Sequence, residues 1–205
     1  MLEIETPHGP ARAYLHAVNE PRGALVLGHG AGGGVQAPDL VAATKAANEE
    51  GFTVALVEQP YRVAGRRSPA PAKQLDAAWI AVVTHLKAKQ LADPPLVVGG
   101  RSLGARVACR TVDETGAVAV LCLAFPLDPP RRADKPRQNR LAELEAVTVP
   151  MLVVQGERDP FGIPPPGPTR VVMKVAGDHG LKADPDAVSA AVREWLPGVV
   201  GAGVT

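Results

Sequence analysis

The amino-acid sequence predicts an α/β fold with a doubly wound, mostly parallel sheet. Apolar runs of about five to seven residues alternate with segments whose apolar residues have helical spacing, a pattern typical of strands buried between two layers of helices. The chain of 205 residues is long enough for one domain with a substantial core and too short for two domains and a linker. We therefore expect one domain over residues 1–197, followed by a flexible tail over residues 198–205.

The chain begins with a predicted β-hairpin, because residues 2–6 and 11–18 alternate in polarity and flank the turn-like Pro7-His8-Gly9-Pro10. Strands and helices then alternate, and right-handed crossovers place helices on both faces of a parallel sheet. The predicted strands are residues 23–27, 52–57, 96–99, 117–123, 149–155 and 170–175, and the predicted helices are residues 39–50, 72–90, 103–112, 139–147 and 185–196. Proline- and arginine-rich loops are expected over residues 59–71 and 126–140.

Composition and charge argue against several classes of function. The formal net charge is +1 and no basic block is present, so neither nucleic acid nor a membrane surface is an expected partner. The longest apolar run, residues 117–125, is about half of what spans a bilayer, and the acidic start is unlike a secretory leader, so we expect a cytoplasmic protein. Cys109 and Cys122 lie in apolar stretches without metal-ligand spacing, which favours reduced core residues. Nothing in the sequence predicts an oligomeric state.

A candidate nucleophile lies in Gly100-Arg101-Ser102-Leu103-Gly104, between a predicted buried strand and a predicted helix. A serine hydroxyl at such a G-x-S-x-G turn is lifted above the sheet, where an adjacent base can activate it for acyl transfer. Ser102 could instead be an ordinary N-cap of the following helix, but its place between strand and helix favours the nucleophile. Ser68 and Ser189, the other serines, lie in a proline-rich loop and a helix.

Candidates for the acid and the base follow in the order that such a triad requires. Asp159 lies just beyond a predicted strand, at the edge where ligand sites form in α/β sheets; the alternatives are an Asx-turn role for Asp159 and Glu157 as the acid. His179 lies between the last predicted strand and the last helix, which completes the order Ser, Asp, His. Solvated or core roles are expected for His8, His16 and His85.

The loop His29-Gly30-Ala31-Gly32-Gly33 is a candidate oxyanion hole. Its glycines allow close backbone approach, so that amides of this loop and the amide of Leu103 can face a developing oxyanion, and His29 would orient the loop. A phosphate-binding loop is the alternative, but the lysine and the serine or threonine of a P-loop are missing and the glycines do not fit the dinucleotide pattern. We expect no cofactor and no metal.

Taken in order over roughly residues 20–197, these motifs resemble the small lidless α/β-hydrolase family related to dienelactone hydrolases. The resemblance rests on residues 29–33, 100–106, 125–127, 155–162 and 177–179. It is strongest to the branch that includes a testis-expressed hydrolase-like protein and a chromatin-complex subunit, which also carries an arginine before the serine. The resemblance implies Ser102 as nucleophile, Asp159 as acid, His179 as base, and the Ala31 and Leu103 amides as oxyanion donors.

The surroundings of the predicted site bear on its substrate. Only about 27 residues separate Leu123 from Met151, too few for a cap domain, so the site is expected to be shallow and open. Relatives often have a serine and an aromatic residue where this chain has Gly180-Leu181, so the wall beside the base is expected to be more open too. An arginine-lined rim would suit an anionic substrate, although solvated surface arginines are the simpler interpretation. The rim candidates are Arg62, Arg66, Arg67 and Arg101.

The leading functional hypothesis is a cofactor-free hydrolase of a small carboxylic ester or thioester, acting through an acyl-serine intermediate. An acyltransferase would use the same triad and pass the acyl group to a nucleophile other than water. The third hypothesis is a non-catalytic interaction module that keeps the fold. The presence of Ser102, Asp159 and His179 counts against it.

Overall fold

The computed structural model describes residues 1–129 and 139–201, whose strands form one eight-stranded sheet with helices on both faces. The strands are β1 (Leu2–Ile4), β2 (Ala11–His16), β3 (Gly23–Gly28), β4 (Phe52–Glu58), β5 (Leu96–Arg101), β6 (Ala119–Leu123), β7 (Met151–Gly156) and β8 (Arg170–Val175). The helices are α1 (Pro38–Glu49), α2 (Pro60–Val63), α3 (Ala72–Ala88), α4 (Leu103–Arg110), α5 (Val112–Thr115), α6 (Leu141–Glu145) and α7 (Pro185–Gly201).

The strand order is β1-β2-β4-β3-β5-β6-β7-β8. Strand β2 pairs antiparallel with both β1 and β4, and every other pair is parallel. Parallel neighbours need crossover connections, and helices supply them on both faces of the sheet. The predicted hairpin and the predicted mostly parallel, doubly wound sheet are thus confirmed.

Two apolar cores lie on opposite faces of the sheet. Trp79 of α3 is buried in the first, and Leu40 of α1 and Val192 of α7 are buried in the second. The middle strands β3, β6 and β7 are buried along their whole length, which explains why their sequences are apolar runs, broken in β7 only by Gln155, rather than alternating patterns. Burying each large apolar side chain stabilises the fold by about 1.5–3 kcal/mol, so both layers hold the strands in place.

Some predicted element boundaries are wrong. The helix after Ser102 ends at Arg110 instead of Val112, because the hydroxyl of Thr111 donates to the carbonyl of Val107 at 2.8 Å and the Thr111 backbone leaves the helical region at φ −120°. Threonine side chains compete with helical hydrogen bonds in this way. The predicted loop over residues 59–71 begins with α2, where Pro60 takes the first helical position that proline tolerates.

The predicted end of the last helix at Leu196 is also wrong, whereas the domain limit at residue 197 and the flexible tail over residues 198–205 stay predictions. Helix α7 continues through Pro197 to Gly201. Proline removes one backbone donor, but Val199 and Val200 pack partly buried against the second core, and this burial offsets the lost hydrogen bond. The remainder of the predicted tail, residues 202–205, and most of the predicted loop over residues 126–140 lie outside the described residues.

The loops that follow the parallel strands meet at one edge of the sheet, as the carboxyl ends of parallel strands do. Four of them, after β3, β5, β7 and β8, carry the predicted site residues. Between β6 and β7 the described residues hold only the five-residue helix α6, and no cap domain covers this edge. None of the helices within residues 1–129 and 139–201 has the length and hydrophobicity to cross a membrane.

Candidate active site

Ser102 occupies a sharp turn between β5 and α4. Its backbone has φ 52° and ψ −104°, a conformation that costs a non-glycine residue about 1–3 kcal/mol. Glycine is required at both Gly100 and Gly104. A side chain at position 100 would place its Cβ atom 2.5 Å from the Gly28 carbonyl oxygen, and a side chain at position 104 would place its Cβ atom 2.3 Å from the same oxygen. Close packing of strand, turn and helix therefore keeps the strained serine in place.

The structure brings the three predicted triad residues into one hydrogen-bonded chain. Ser102 Oγ lies 2.9 Å from His179 Nε2, and His179 Nδ1 lies 2.8 Å from Asp159 Oδ2. The Asp159 carboxylate is fully buried, whereas 19% of the imidazole is exposed. Because a carboxylate only accepts hydrogen bonds, Nδ1 carries the proton and Nε2 is free to accept the serine proton.

Asp159 is fixed by two further donors. The backbone amide of Phe161 donates to Oδ1 at 2.9 Å, and the Gln155 side-chain amide donates to Oδ2 at 2.7 Å. Gln155 is fully buried and also exchanges hydrogen bonds with both backbone groups of Phe125. The sequence analysis missed Gln155, although a single polar residue in the apolar run of β7 is a signal for such a role.

The loop that carries His179 is held by packing and by backbone bonds. Leu181 adopts a positive φ of 47° and is buried in the core, and the Arg158 amide donates to the Gly177 carbonyl at 2.9 Å. The Phe161 ring lies 4.3 Å from the imidazole, centroid to centroid. An aromatic ring from the acid loop therefore lies beside the base, and the more open wall expected at Gly180-Leu181 stays a prediction.

The glycine loop is fixed by a buried histidine and a tyrosine. The backbone amide of Gln59 donates to His29 Nε2 at 3.1 Å. His29 Nδ1 therefore carries the proton and donates to the Gly30 carbonyl at 2.7 Å. Burial lowers the pKa of His29, which favours this neutral form. The Tyr61 hydroxyl donates to the Ala31 carbonyl at 3.0 Å. His29 and Tyr61 thus hold the segment that carries the predicted Ala31 donor.

The two predicted oxyanion donors lie on segments that contact each other. Leu103 is the first residue of α4, where amide groups have no intrahelical acceptor. A Cβ atom on Gly30 would lie 3.7 Å from the Cβ of Ser102, so the glycine loop passes next to the serine. Gly32 has open space where a side chain would be and lines a cleft of about 450 Å³ beside the site.

Arg101 lines the same cleft as Gly32, and its guanidinium also pairs with groups inside the protein. Its Nε lies 2.9 Å from Asp39 Oδ2, and its Nη2 donates to the His179 carbonyl at 3.0 Å. Asp39 is fully buried; burial raises its pKa, and the Arg101 charge opposes that shift. The sequence analysis missed Asp39, which is 62 positions away from its partner along the chain.

The other three rim candidates do not line the cleft that Arg101 lines. Arg62 is on α2, where it is half-buried with its Nε free of hydrogen bonds, and its charge acts on His29 and Tyr61. Arg66 and Arg67 are exposed. Within residues 1–129 and 139–201, no group of three histidine, cysteine or acidic side chains is placed to hold a metal ion.

Comparison with known proteins agrees with this fold. The alpha/beta hydrolase domain family model matches residues 21–186, whereas no curated protein sequence matches significantly. A lidless α/β serine hydrolase from Xanthomonas campestris superposes with a TM-score of 0.72 at 19% identity, over 96% of this chain and 94% of that one.

Two esterases are similar to the chain over most of their length. Est1E from Butyrivibrio proteoclasticus superposes with a TM-score of 0.75 at 17% identity, over 98% of each chain. An esterase from Pyrococcus furiosus gives 0.74 at 17% identity, over 96% of this chain and 88% of that one. At these identities the structures show the fold, and the family model covers most of the sequence. The chain therefore belongs to the α/β-hydrolase family.

Proposed function

We propose that the protein is a serine hydrolase that cleaves small carboxylic esters or thioesters through an acyl-serine intermediate on Ser102. One observation carries the proposal: an unbroken hydrogen-bonded chain from the buried Asp159 through His179 to Ser102. An imidazole that is oriented by a carboxylate can accept a proton from serine and return it to a leaving group. The strained turn under the serine adds support, because such strain concentrates at functional sites.

Acylation begins when Ser102 Oγ attacks the carbonyl carbon of the ester and its proton moves to His179 Nε2. The carbonyl electron pair moves to oxygen, and the amides of Ala31 and Leu103 donate hydrogen bonds to that oxyanion. Buried Asp159 stabilises the imidazolium cation that forms. When the tetrahedral intermediate collapses, the alcohol or thiol leaves with the proton from His179, and the acyl group remains on Ser102.

Deacylation repeats these steps with water as the nucleophile. His179 takes a proton from the water, the resulting oxyanion occupies the same donors, and collapse returns that proton to Ser102 as the carboxylic acid leaves. An acyltransferase would differ only in the acceptor, so added alcohol or amine would compete with water for the acyl group. The ratio of the two products measures this difference directly.

The test is hydrolysis of a panel of acyl p-nitrophenyl esters and acyl thioesters. Ser102→Ala is expected to lower kcat by on the order of 10⁴- to 10⁶-fold, because the nucleophile and its base act as a unit. Ser68→Ala is the matched control, since Ser68 is exposed in a loop, and its rates should equal those of the wild type. Hydrolysis that persists in Ser102→Ala would contradict the proposal.

Two finer proposals rest on sequence motifs and chemistry. Within the family, we place the chain near the dienelactone-hydrolase-related branch that includes testis-expressed and chromatin-complex hydrolase-like proteins, because Arg101 precedes Ser102 as in that branch. We also propose a cytoplasmic location. Its support is that the chain has only two cysteines, Cys109 and Cys122, both buried, which favours reduced core residues over a disulfide framework.

A further inference from the structure

We propose that Arg101 is a positioning residue that fixes the base His179, through a brace formed by Arg101 and the buried Asp39. This inference rests on the proposed serine-hydrolase function. It assigns Arg101 a role inside the protein in place of substrate binding. The residue immediately before the nucleophile would thus control the distance between the nucleophile and its base.

The guanidinium of Arg101 connects three segments of the site. Nε lies 2.9 Å from Asp39 Oδ2 at the start of α1, and Nη2 donates to the His179 carbonyl on the loop after β8. Nη1 lies so close to Gly30 that a Cβ atom at that position would be 2.7 Å from it. The third contact means that the glycine loop passes directly against the guanidinium. Arg101 itself belongs to β5, next to Ser102. One side chain therefore ties the nucleophile turn to the helix, the glycine loop and the base loop.

Arg101 adds a restraint at the backbone of His179 itself, beyond the packing and the backbone bonds that hold the neighbouring residues of the loop. The imidazole of His179 is held by Asp159 and reaches Ser102, but those bonds fix only the ring. At the backbone of His179, the hydrogen bond from Arg101 supplies the corresponding restraint. Displacement of a reacting group by about 1 Å can cost on the order of 10²-fold in rate, so a restraint on this carbonyl bears directly on proton transfer from Ser102.

Asp39 makes the brace rigid. Its side chain is fully buried, and its Oδ1 accepts the Leu40 amide at 3.0 Å, so the carboxylate has a fixed position near the start of α1. Only a planar guanidinium presents donors in a fork that can face a carboxylate and a carbonyl at once. Lysine has the same charge but cannot hold both partners in this arrangement.

The experiment compares Arg101→Ala and Arg101→Lys with the wild type on a neutral aryl ester and on a carboxylated aryl ester. The brace predicts that kcat falls by on the order of 10²-fold for both esters in Arg101→Ala, with KM for the neutral ester unchanged. Added guanidinium ion should restore part of kcat, whereas added methylammonium should not. Arg101→Lys should resemble Arg101→Ala, and Asp39→Asn should lower kcat less.

Arg106→Ala is the matched control. Arg106 lies on α4, five positions along the chain from Arg101, and its side chain forms an ion pair with Glu143 of α6. Its backbone amide donates to the Ser102 carbonyl, a bond that alanine keeps, and within the described residues its side chain bonds to no triad residue. Its removal should leave kcat at the wild-type value, which separates the brace from a general loss of an arginine. If Arg101→Ala does not fold, as judged by circular dichroism and urea unfolding, Arg101→Lys decides the question.

Three outcomes would overturn the inference. A wild-type kcat in folded Arg101→Ala, or in Arg101→Lys where only that variant folds, would show that the base needs no brace. A rise in KM confined to the carboxylated ester would make Arg101 a substrate-binding residue. A loss of rate that guanidinium does not reverse would assign Arg101 a general structural role. If the wild type hydrolyses neither ester, the proposed function fails, and this result is distinct from the other three.

Discussion

Gln155 connects the acid of the triad to the interior of the protein. Its amide nitrogen donates to Asp159 Oδ2 at 2.7 Å, and its amide also satisfies the backbone N–H and C=O of Phe125. A leucine at this position would remove the donor to Asp159 and leave the buried Phe125 N–H without a partner, while the Phe125 carbonyl keeps the Leu127 amide as a donor. A buried group left without a partner costs about 1–3 kcal/mol.

We therefore expect two effects of Gln155→Leu. The free energy of unfolding should fall by about 1–3 kcal/mol, and kcat should fall by on the order of tenfold, because a less oriented carboxylate orients His179 less well. Urea unfolding and steady-state hydrolysis measure the two effects separately. A variant with wild-type stability and wild-type kcat would show that Gln155 neither supports the core nor orients Asp159.

At the residue scale, the sequence predicted that Ser102, Asp159 and His179 come together, but it did not predict the distant partners of Asp39 and Gln155. Ser102, Asp159 and His179 each follow a strand, and their order along the chain matches the requirement of the mechanism. Asp39 and Gln155 pair with groups that are 62 and 30 positions away. Local sequence patterns do not encode which distant residues come into contact, so these pairs could be identified only from the folded structure.

The turn between β5 and α4 stores backbone strain at Ser102. Alanine there would keep the strained φ of 52°, whereas glycine adopts positive φ without that cost. Glycine also gives the unfolded chain more freedom, and this partly offsets the gain. Ser102→Gly should therefore unfold with a free energy about 1 kcal/mol higher than that of Ser102→Ala.

Paired urea titrations of Ser102→Ala and Ser102→Gly measure this difference, because both variants lack the hydroxyl and differ at only one carbon. The control compares Ser189→Ala with Ser189→Gly, because Ser189 lies within the helix α7. Glycine at position 189 should be less stable than alanine by about 0.5–1 kcal/mol. Equal stability of the two variants at position 102 would mean that the turn stores no strain.

At the element scale, periodicity predicted every strand of the sheet, but it predicted the ends of α4 and α7 incorrectly, because side-chain interactions decide where these helices end. Thr111 ends α4 early because its hydroxyl bonds to the preceding turn, and Pro197 fails to end α7 because Val199 and Val200 beyond it are partly buried. The sequence marks proline as a helix breaker. Whether burial beyond the proline outweighs that tendency depends on the tertiary structure.

The molecule as a whole should respond to pH through His29. Burial lowers the pKa of His29 in the folded protein, so below about pH 6.5 the unfolded chain binds the proton first. Stability therefore falls as the pH decreases through the window between 6.5 and the lower folded value. Asp39 acts in the opposite direction, because burial raises its pKa and the folded protein takes up that proton first as the pH falls.

His29→Asn removes the titrating group and keeps a donor for the Gly30 carbonyl. Its free energy of unfolding should change less between pH 6.5 and about pH 5 than that of the wild type. His8→Asn is the control, since His8 is exposed, and it should retain the wild-type slope. Identical slopes for His29→Asn and the wild type would show that His29 does not govern this response.

At the scale of the whole molecule, the sequence predicted most of the sheet topology. Buried apolar runs alternating with helices leave few arrangements once crossovers are right-handed, and the predicted parallel sheet with an opening hairpin is the one observed. The order β4-β3-β5 at the centre of the sheet could not be inferred from chain order alone. It depends on which strand edges the crossovers reach, and it is this order that places the loop after β3 beside the serine.

The central claim is that Ser102 is an activated nucleophile in the folded protein. Its most direct test is labelling with a fluorophosphonate, followed by mass spectrometry of the peptide that carries the adduct. We predict one adduct, on Ser102, which forms on the native protein and is absent after urea unfolding, in Ser102→Ala, and, at matched times, in His179→Ala. Native protein that forms no adduct, or that forms it on another residue, would contradict the account.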